Sequence, residues 1–257
     1  MSARPNPLPR FYRWRTNVLQ TPMFLLWTAI SGATALLVSL VDKKGRVQHR
    51  IARFWARGTV KISLSTLKVE GQENLHKHAV AVYAPNHTSY MDIPVVFAAL
   101  PFQFRILAKK ELWQWPFIGW YLLRSGQMPI DIENPRATLS SLGGAIKALR
   151  AGMPLVVFPE GGRTLTGELK PFLAGAAYLA IRAQVPLVPI ALKGVYDLLP
   201  MHTHHLYPGE LTLKVGEPIL TKGMSVRQND ELTERLRAAI AKMMGEVVEA
   251  ETAATAL

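Results

Sequence analysis

Residues 79–100 read AVAVYAPNHTSYMDIPVVFAAL. The first seven, AVAVYAP, form a short apolar run of the length of a strand buried on both faces. PVVFAAL (94–100) is apolar again but reads as a helix, and Pro101 ends it. Between the two lies a polar turn, NHTSYMD (86–92), which carries His87 and Asp92 five positions apart. A buried strand, a polar turn and a helix in succession make the opening unit of an α/β sheet.

The alternation continues on both sides. TLKVEG (66–71) reads as a strand before it. After it come FRILAK (104–109), a strand; GQMPID (126–131), an edge strand or loop; and RATLSSLGGAIKALRAG (136–152), a helix stopped by Gly152. LVVFPEG (155–161) is a strand running into a turn. PFLAGAAYLAIRAQ (171–184) is a helix and PLVPIAL (186–192) a strand. ELTLKVGEPI (210–219) is a late strand, and residues 229–251 form an amphipathic helix capped at Asn229 or Asp230. The pattern predicts one three-layer αβα domain over 66–257, with a mostly parallel mixed sheet.

The first 65 residues are of another kind. Of the net charge of +12, residues 1–70 supply +10, from 12 Lys/Arg against two acids. A nucleic-acid binder would carry that charge on its folded domain. Within the same quarter, Thr16 to Val41 is uncharged, and MFLLWTAISGATALLVSLV (23–41) would make a helix of about 28 Å, borderline for a bilayer. Arg4, Arg10, Arg13 and Arg15 precede it and Lys43, Lys44, Arg46 and Arg50 follow, so charge gives no orientation, and a re-entrant anchor fits as well as a span. Next, Val47, Ile51, Phe54, Trp55, Gly58 and Ile62 share helical spacing beside a stripe of Arg46, Arg50, Arg53, Arg57 and Lys61. That combination predicts a helix lying on an anionic lipid surface; the other reading is a helix packed on the domain with a solvated basic edge. The anchor is thus expected over 1–65, as an apolar helix at 22–41 and a basic amphipathic helix at 46–64.

The chain holds no cysteine, which excludes disulfides, thiolate metal sites and a cysteine nucleophile. His202, His204 and His205 have no accompanying carboxylate or cysteine cluster, so a loop is expected there and no metal. There is no G-x-S-x-G and no P-loop. Ser89 is a possible nucleophile or an ordinary turn serine.

In a parallel sheet the working groups collect at the C-terminal strand ends. Here those ends deliver Asn86 and His87, then Lys109, then Glu160, Gly161, Gly162 and Arg163. A neutral imidazole can take a proton near neutral pH, and Asp92 could hold its other nitrogen; Asp92 could equally be a helix N-cap and His87 a structural histidine. Arg163 offers a fork for phosphate, and the glycines bring backbone N–H groups close to a ligand.

The chain resembles the 1-acylglycerol-3-phosphate acyltransferase family of the glycerolipid acyltransferase superfamily, over residues 66 to about 222. NHTSYMD matches the family's NH-x4-D motif, FPEGGRT (158–164) resembles its phosphate-acceptor motif, and VPLVPIAL (185–192) looks like its apolar proline motif. AKKEL (108–112) and GEPI (216–219) look like further landmarks, in the family's order. Two positions depart: Gly162 stands where a threonine is usual, and Ile132 where an arginine is usual, with Arg136 the one arginine near. Both bear on acceptor recognition.

The resemblance implies acyl transfer from acyl-CoA or acyl-ACP to the free hydroxyl of a lysophospholipid, foremost 1-acylglycerol-3-phosphate giving phosphatidate. His87 would be the general base and Asp92 its partner. Arg163, with Lys109, would hold the acceptor phosphate; Asn86, Glu160, Gly161 and Gly162 would complete the substrate site. No cofactor is implied beyond the acyl donor. The expected partners are the anionic bilayer surface, the acceptor lipid and the donor, with the protein on the cytoplasmic face of a membrane. Transfer to another lyso-lipid, hydrolysis of a lipid or thioester, and lipid binding without catalysis are the alternatives.

Overall fold

A computed structural model describes residues 10–76, 80–131 and 135–245; Arg4, Ile132 and residues 246–251 of the expected terminal helix lie outside them, as does the side chain of Arg136. Strand β2 (Val82–Pro85) is buried at every position because it lies mid-sheet, parallel to β6 (Leu187–Lys193) on one side and β5 (Leu155–Val156) on the other. With β1 (Thr66–Glu70), β3 (Arg105–Lys109), β4 (Met128–Ile130) and β7 (Glu210–Val215), the seven-stranded order is β1-β7-β6-β2-β5-β3-β4. The β6–β7 pair is antiparallel and the remaining pairs are parallel. GQMPID resolves as the edge strand β4.

Alternation along each strand feeds two cores. Tyr83, Ile106, Val156 and Val188 point to the face covered by α5 (Asp92–Ala99) and α3 (Arg46–Ile62). Val82, Leu107, Leu155 and Leu187 point to the face covered by α7 (Pro135–Arg150), α8 (Gly175–Ala183) and α10 (Asn229–Met244). The short helices α4 (Glu73–His76), α6 (Ile118–Arg124) and α9 (Val195–Leu198) sit in connections. This is the expected three-layer αβα fold.

Two helix starts differ from expectation. α8 begins at Gly175, because the Leu173 N–H bonds the Pro159 carbonyl and ties residues 171–174 to the loop after β5. Neither Asn229 nor Asp230 caps α10. A 3₁₀ turn, Val226–Gln228, precedes it, and the reciprocal cap joins Ser225 and Gln228 at the start of that turn.

The N-terminal helix is longer than expected. α1 (Arg10–Trp14), a π-helical stretch (Arg15–Gln20) and α2 (Thr21–Val38) follow without a break. Pro22 explains the wide turn: it has no N–H to give Val18, and its ring crowds that carbonyl. The Thr21 N–H accordingly bonds Thr16 O, five residues back. Phe11–Val38, 28 residues, is long and apolar enough to cross a membrane, at about 42 Å against a hydrocarbon core of about 30 Å.

The polarity of α2 is inverted relative to a helix on a water-soluble domain. From the π-helical stretch into α2 the buried positions are Thr16, Gln20, Ser31 and Ala35, while Leu25, Leu26, Ile30 and Leu37 are exposed. The buried side faces α3: Gln20 Nε2 donates to Ile62 O at 2.8 Å, Trp27 Nε1 to Trp55 O at 2.9 Å, and Trp55 Nε1 to Thr28 Oγ1 at 3.0 Å. Small and polar residues inside with apolar ones outside is the arrangement that suits a lipid surround.

The basic helix packs on the domain by a side other than its run of large apolar residues. Val47 and Phe54 are exposed, and α3 buries Gln48, His49, Ala52, Ala56, Thr59 and Val60 instead. Ala52, Ala56 and Val60 join the core beneath α5, so a boundary at residue 65 cuts through packed side chains. Arg46, Arg50, Arg57 and Lys61 are exposed, whereas Arg53 Nη1 donates to Pro101 O. The helix is both packed on the domain and basic along its free edge.

Candidate active site

Three adjacent parallel strands, β3, β5 and β2, end at the same edge of the sheet. The segments leaving them therefore meet, which answers why a histidine follows a buried strand.

The turn after β2 is fixed from two sides. Asn86 is fully buried; its Oδ1 accepts the Leu192 N–H at 2.7 Å and its Nδ2 donates to Leu192 O at 3.2 Å, extending the ladder to β6 beyond Pro85. From the β5 side, Glu160 Oε1 accepts the His87 N–H at 2.7 Å, and the Thr164 N–H bonds His87 O at 3.0 Å. The backbone of His87 is held on both sides of its side chain.

Asp92 is the first residue of α5 and fully buried. Its Oδ2 accepts His87 Nδ1 at 2.8 Å and the N–H groups of Thr88 and Ser89 at 2.7 and 2.8 Å. So it does not act as an N-cap of the helix that follows; it gathers the preceding turn around itself. A carboxylate only accepts, so Nδ1 carries a proton, and in the neutral ring Nε2 then holds the lone pair. The ring packs on Phe158, centroids 4.2 Å apart.

His87, Lys109, Gly161, Gly162 and Arg163 line one cavity of about 730 Å³. The rest of its wall is mostly apolar, from β3 (Ile106, Leu107), β4 (Ile130), α7 (Leu142) and α8 (Ala176). Arg163 lies with its Cζ 3.7 Å from the centroid of the exposed Tyr90 ring, and its Nε is buried without a hydrogen-bond partner among the described residues. Gly161 has φ +66°, which the turn requires of a glycine. Gly162 does not need to be glycine: an added Cβ would meet only Lys170 Nζ, at 4.0 Å.

Two expected substrate residues are placed elsewhere. Asn86 and Glu160 are absent from the cavity wall. Asn86 completes the sheet, and Glu160 spends one oxygen on His87 and the other on the Lys170 N–H at 3.2 Å. Burial pushes the Glu160 carboxyl up to about 7, against the pull of those two N–H groups. Ser89 Oγ donates to Leu199 O at 2.8 Å, the behaviour of a turn serine. Among the described residues no cluster of three potential metal ligands occurs. Sequence reasoning missed Tyr90, Phe158 and the Lys170 N–H. Tyr90 alone left a signal, an aromatic residue inside a polar turn.

A histidine aligned by a buried carboxylate, at the wall of an apolar cavity that also holds an arginine, can take a proton from a hydroxyl beside an apolar chain and an anion. A family model described as Acyltransferase matches residues 66–193. A 1-acyl-sn-glycerol-3-phosphate acyltransferase of Chlamydomonas reinhardtii is 30% identical over 91% of this chain and 68% of its own length. An uncharacterized acyltransferase of Schizosaccharomyces pombe is 28% identical over 93% of this chain and 88% of its own. The crystal structure of the 1-acyl-sn-glycerophosphate acyltransferase of Thermotoga maritima superposes with a TM-score of 0.76 and 26% identity, covering 91% of this chain and 96% of that one. Several plant relatives are longer, and the chain spans about half of their length. The chain belongs to the 1-acyl-sn-glycerol-3-phosphate acyltransferase family.

Proposed function

We propose that this chain transfers an acyl group from acyl-CoA or acyl-ACP to the free hydroxyl of 1-acylglycerol-3-phosphate, giving phosphatidate. The observation that carries the reading is the placement of the His87–Asp92 pair on the wall of the same apolar cavity as Arg163. Both substrates bear acyl chains, which suit that wall, and the acceptor bears a phosphate, which suits Arg163.

His87 Nε2 takes the proton of the acceptor hydroxyl as its oxygen attacks the thioester carbonyl. Asp92 stabilises the imidazolium that forms. The C–S bond then breaks, the thiolate takes the proton back from Nε2, and an ester and a free thiol leave. Lys109 adds positive charge at the cavity for the phosphate.

The membrane role follows from α2. It runs along α3, and α3 is packed lengthwise on the domain, so a perpendicular span would drag the exposed arginines of α3 into hydrocarbon. We therefore place α2 in one leaflet, on the cytoplasmic side where thioester donors reside.

The test is purified full-length protein in vesicles with acyl-CoA or acyl-ACP and lysophosphatidate, products read by mass spectrometry. Phosphatidate and free thiol in equal amounts support the reading. Free fatty acid without an acceptor supports hydrolysis instead. Turnover with neutral monoacylglycerol equal to that with lysophosphatidate removes the phosphate from the proposal.

A further inference from the structure

The segment between β3 and β4 is far more apolar outside than its place on the surface requires. It comprises a 3₁₀ turn, Lys110–Gln114, and α6. Phe117 is 69% exposed, Trp115 56% and Trp120 55%, and Ile118 and Leu123 stand open beside them. Phe117 and Trp120 meet edge to face, 5.2 Å between centroids, and pack on each other instead of on the core. Neither Trp115 nor Trp120 gives its indole N–H to an acceptor among the described residues.

The backbone holds this ridge outward. Phe117 has φ +62° and the Ile118 N–H bonds Pro116 O at 2.7 Å, a tight three-residue turn uncommon for a bulky side chain. Gly119 is buried, and a Cβ there would lie 2.1 Å from Trp113 O, so the turn is pressed against the preceding loop. Tyr121, on the inner side of α6, packs against the core under α5.

We infer that the ridge Trp115–Phe117–Ile118–Trp120–Leu123 is a second membrane contact, seated in the bilayer interface beside α2. Continuity argues for lipid over another occupant: α6 packs against α2, whose outward face is apolar and uncharged. Tryptophans with unpaired indole N–H groups suit the interface, where one end of the ring is apolar and the other wet, and Phe117 adds apolar area beside them. Arg124, exposed at the end of α6, can reach headgroup phosphates. The location has a consequence for the site. The connection leaves β3 at Lys109 and carries Leu112 in its first turn, both on the cavity wall, so seating the ridge in lipid brings the cavity to the surface that holds the acceptor. The inference rests on the reading of α2 as the membrane helix.

The absence of cysteine makes the test direct. Full-length Phe117→Cys and, separately, Trp120→Cys are labelled with an environment-sensitive fluorophore in vesicles of phosphatidylcholine and phosphatidylglycerol. Leu26→Cys on α2 and Glu234→Cys on α10 are labelled in parallel, and each variant is checked for acyl transfer. The expected result is blue-shifted emission at 117 and 120, quenched by nitroxide near the lipid headgroup and shielded from aqueous iodide, with position 234 behaving as in water. Water-like emission at 117 and 120 while position 26 reads lipid overturns the ridge and leaves α2 intact. Water-like emission at all four positions overturns both readings. A blue shift that no lipid-borne quencher touches means that protein covers the ridge, and also overturns the inference.

Discussion

The guanidinium of Arg163 sits over the ring of Tyr90, its Cζ 3.7 Å from the ring centroid. An arginine held over an aromatic ring keeps N–H donors for an anion at the cavity wall that it lines. Tyr90 comes from the turn after β2 and Arg163 from the loop after β5, so the stack also spans the two halves of the site.

A cation–π contact at a part-exposed position is worth about 0.5–2 kcal/mol. Tyr90→Ala should therefore raise the KM for lysophosphatidate by about 2–30-fold, with the donor KM little changed. Tyr90→Phe keeps the ring and should stay near wild type. Equal losses in both variants would point to the hydroxyl and away from the stack. Arg163→Ala should cost about 10–150-fold in acceptor KM, as a lost charge-assisted phosphate contact of about 1.5–3 kcal/mol.

His87→Ala should lower kcat by at least about 10²-fold with the fold intact, since a positioned base contributes about 10²–10⁴-fold. Asp92 does two jobs. Asp92→Asn removes the charge beside the imidazolium and points an N–H₂ at donors, so it should lower both kcat and the melting temperature. His87→Ala with unchanged turnover would remove the base from the mechanism.

The sheet was readable because its strands are short apolar runs bounded by turns, and the site because parallel strands end together. β5 shows the limit: it has two residues, but the Val157 N–H still bonds Tyr83 O, so the expected strand was right in place and long in extent. Residues 46–62 show a second limit: helical spacing groups Val47, Ile51, Phe54, Trp55, Gly58 and Ile62 on one face but does not say which neighbours that helix meets. α3 is clasped between α2 and α5, and small or polar residues take the close contacts while Val47 and Phe54 stay open. Tyr90 and the α6 ridge depend on what lies near in space, which no period records.

Two buried groups should give stability opposite slopes with pH. Burial between Phe97 and Phe104, with Arg105 and Arg53 nearby, lowers His49 to about 4 from 6.5. The unfolded chain binds that proton first, so stability is full above about 6.5 and falls toward pH 4, by about 3 kcal/mol at 1.36 kcal/mol per unit. Glu160 is raised to about 7 from 4.5, so its contribution is full below 4.5 and is lost as pH rises through 7. Denaturant midpoints between pH 4.5 and 7.5 separate them. His49→Phe should remove the acid-side loss, and Glu160→Gln should remove the opposing slope while costing about 1–3 kcal/mol, because the amide N–H₂ would face the Lys170 N–H. Unchanged slopes in both variants would assign the pH dependence to other groups.

Gly58 tests whether α2 stays on α3 in a membrane. A Cβ at 58 would lie 2.5 Å from the Trp27 ring, and the ring cannot retreat without stretching its bond to Trp55 O, now 2.9 Å. Gly58→Ala should cost about 1–3 kcal/mol, the scale of overpacking. Trp27→Leu removes the obstructing ring, so Gly58→Ala placed on that background should be far milder. The coupling between the two should reach about 0.5–3 kcal/mol in a double-mutant cycle on vesicle-bound protein. A neutral Gly58→Ala with no coupling would mean that α2 swings away from α3 once lipid is present, and the leaflet placement of α2 would fall with it.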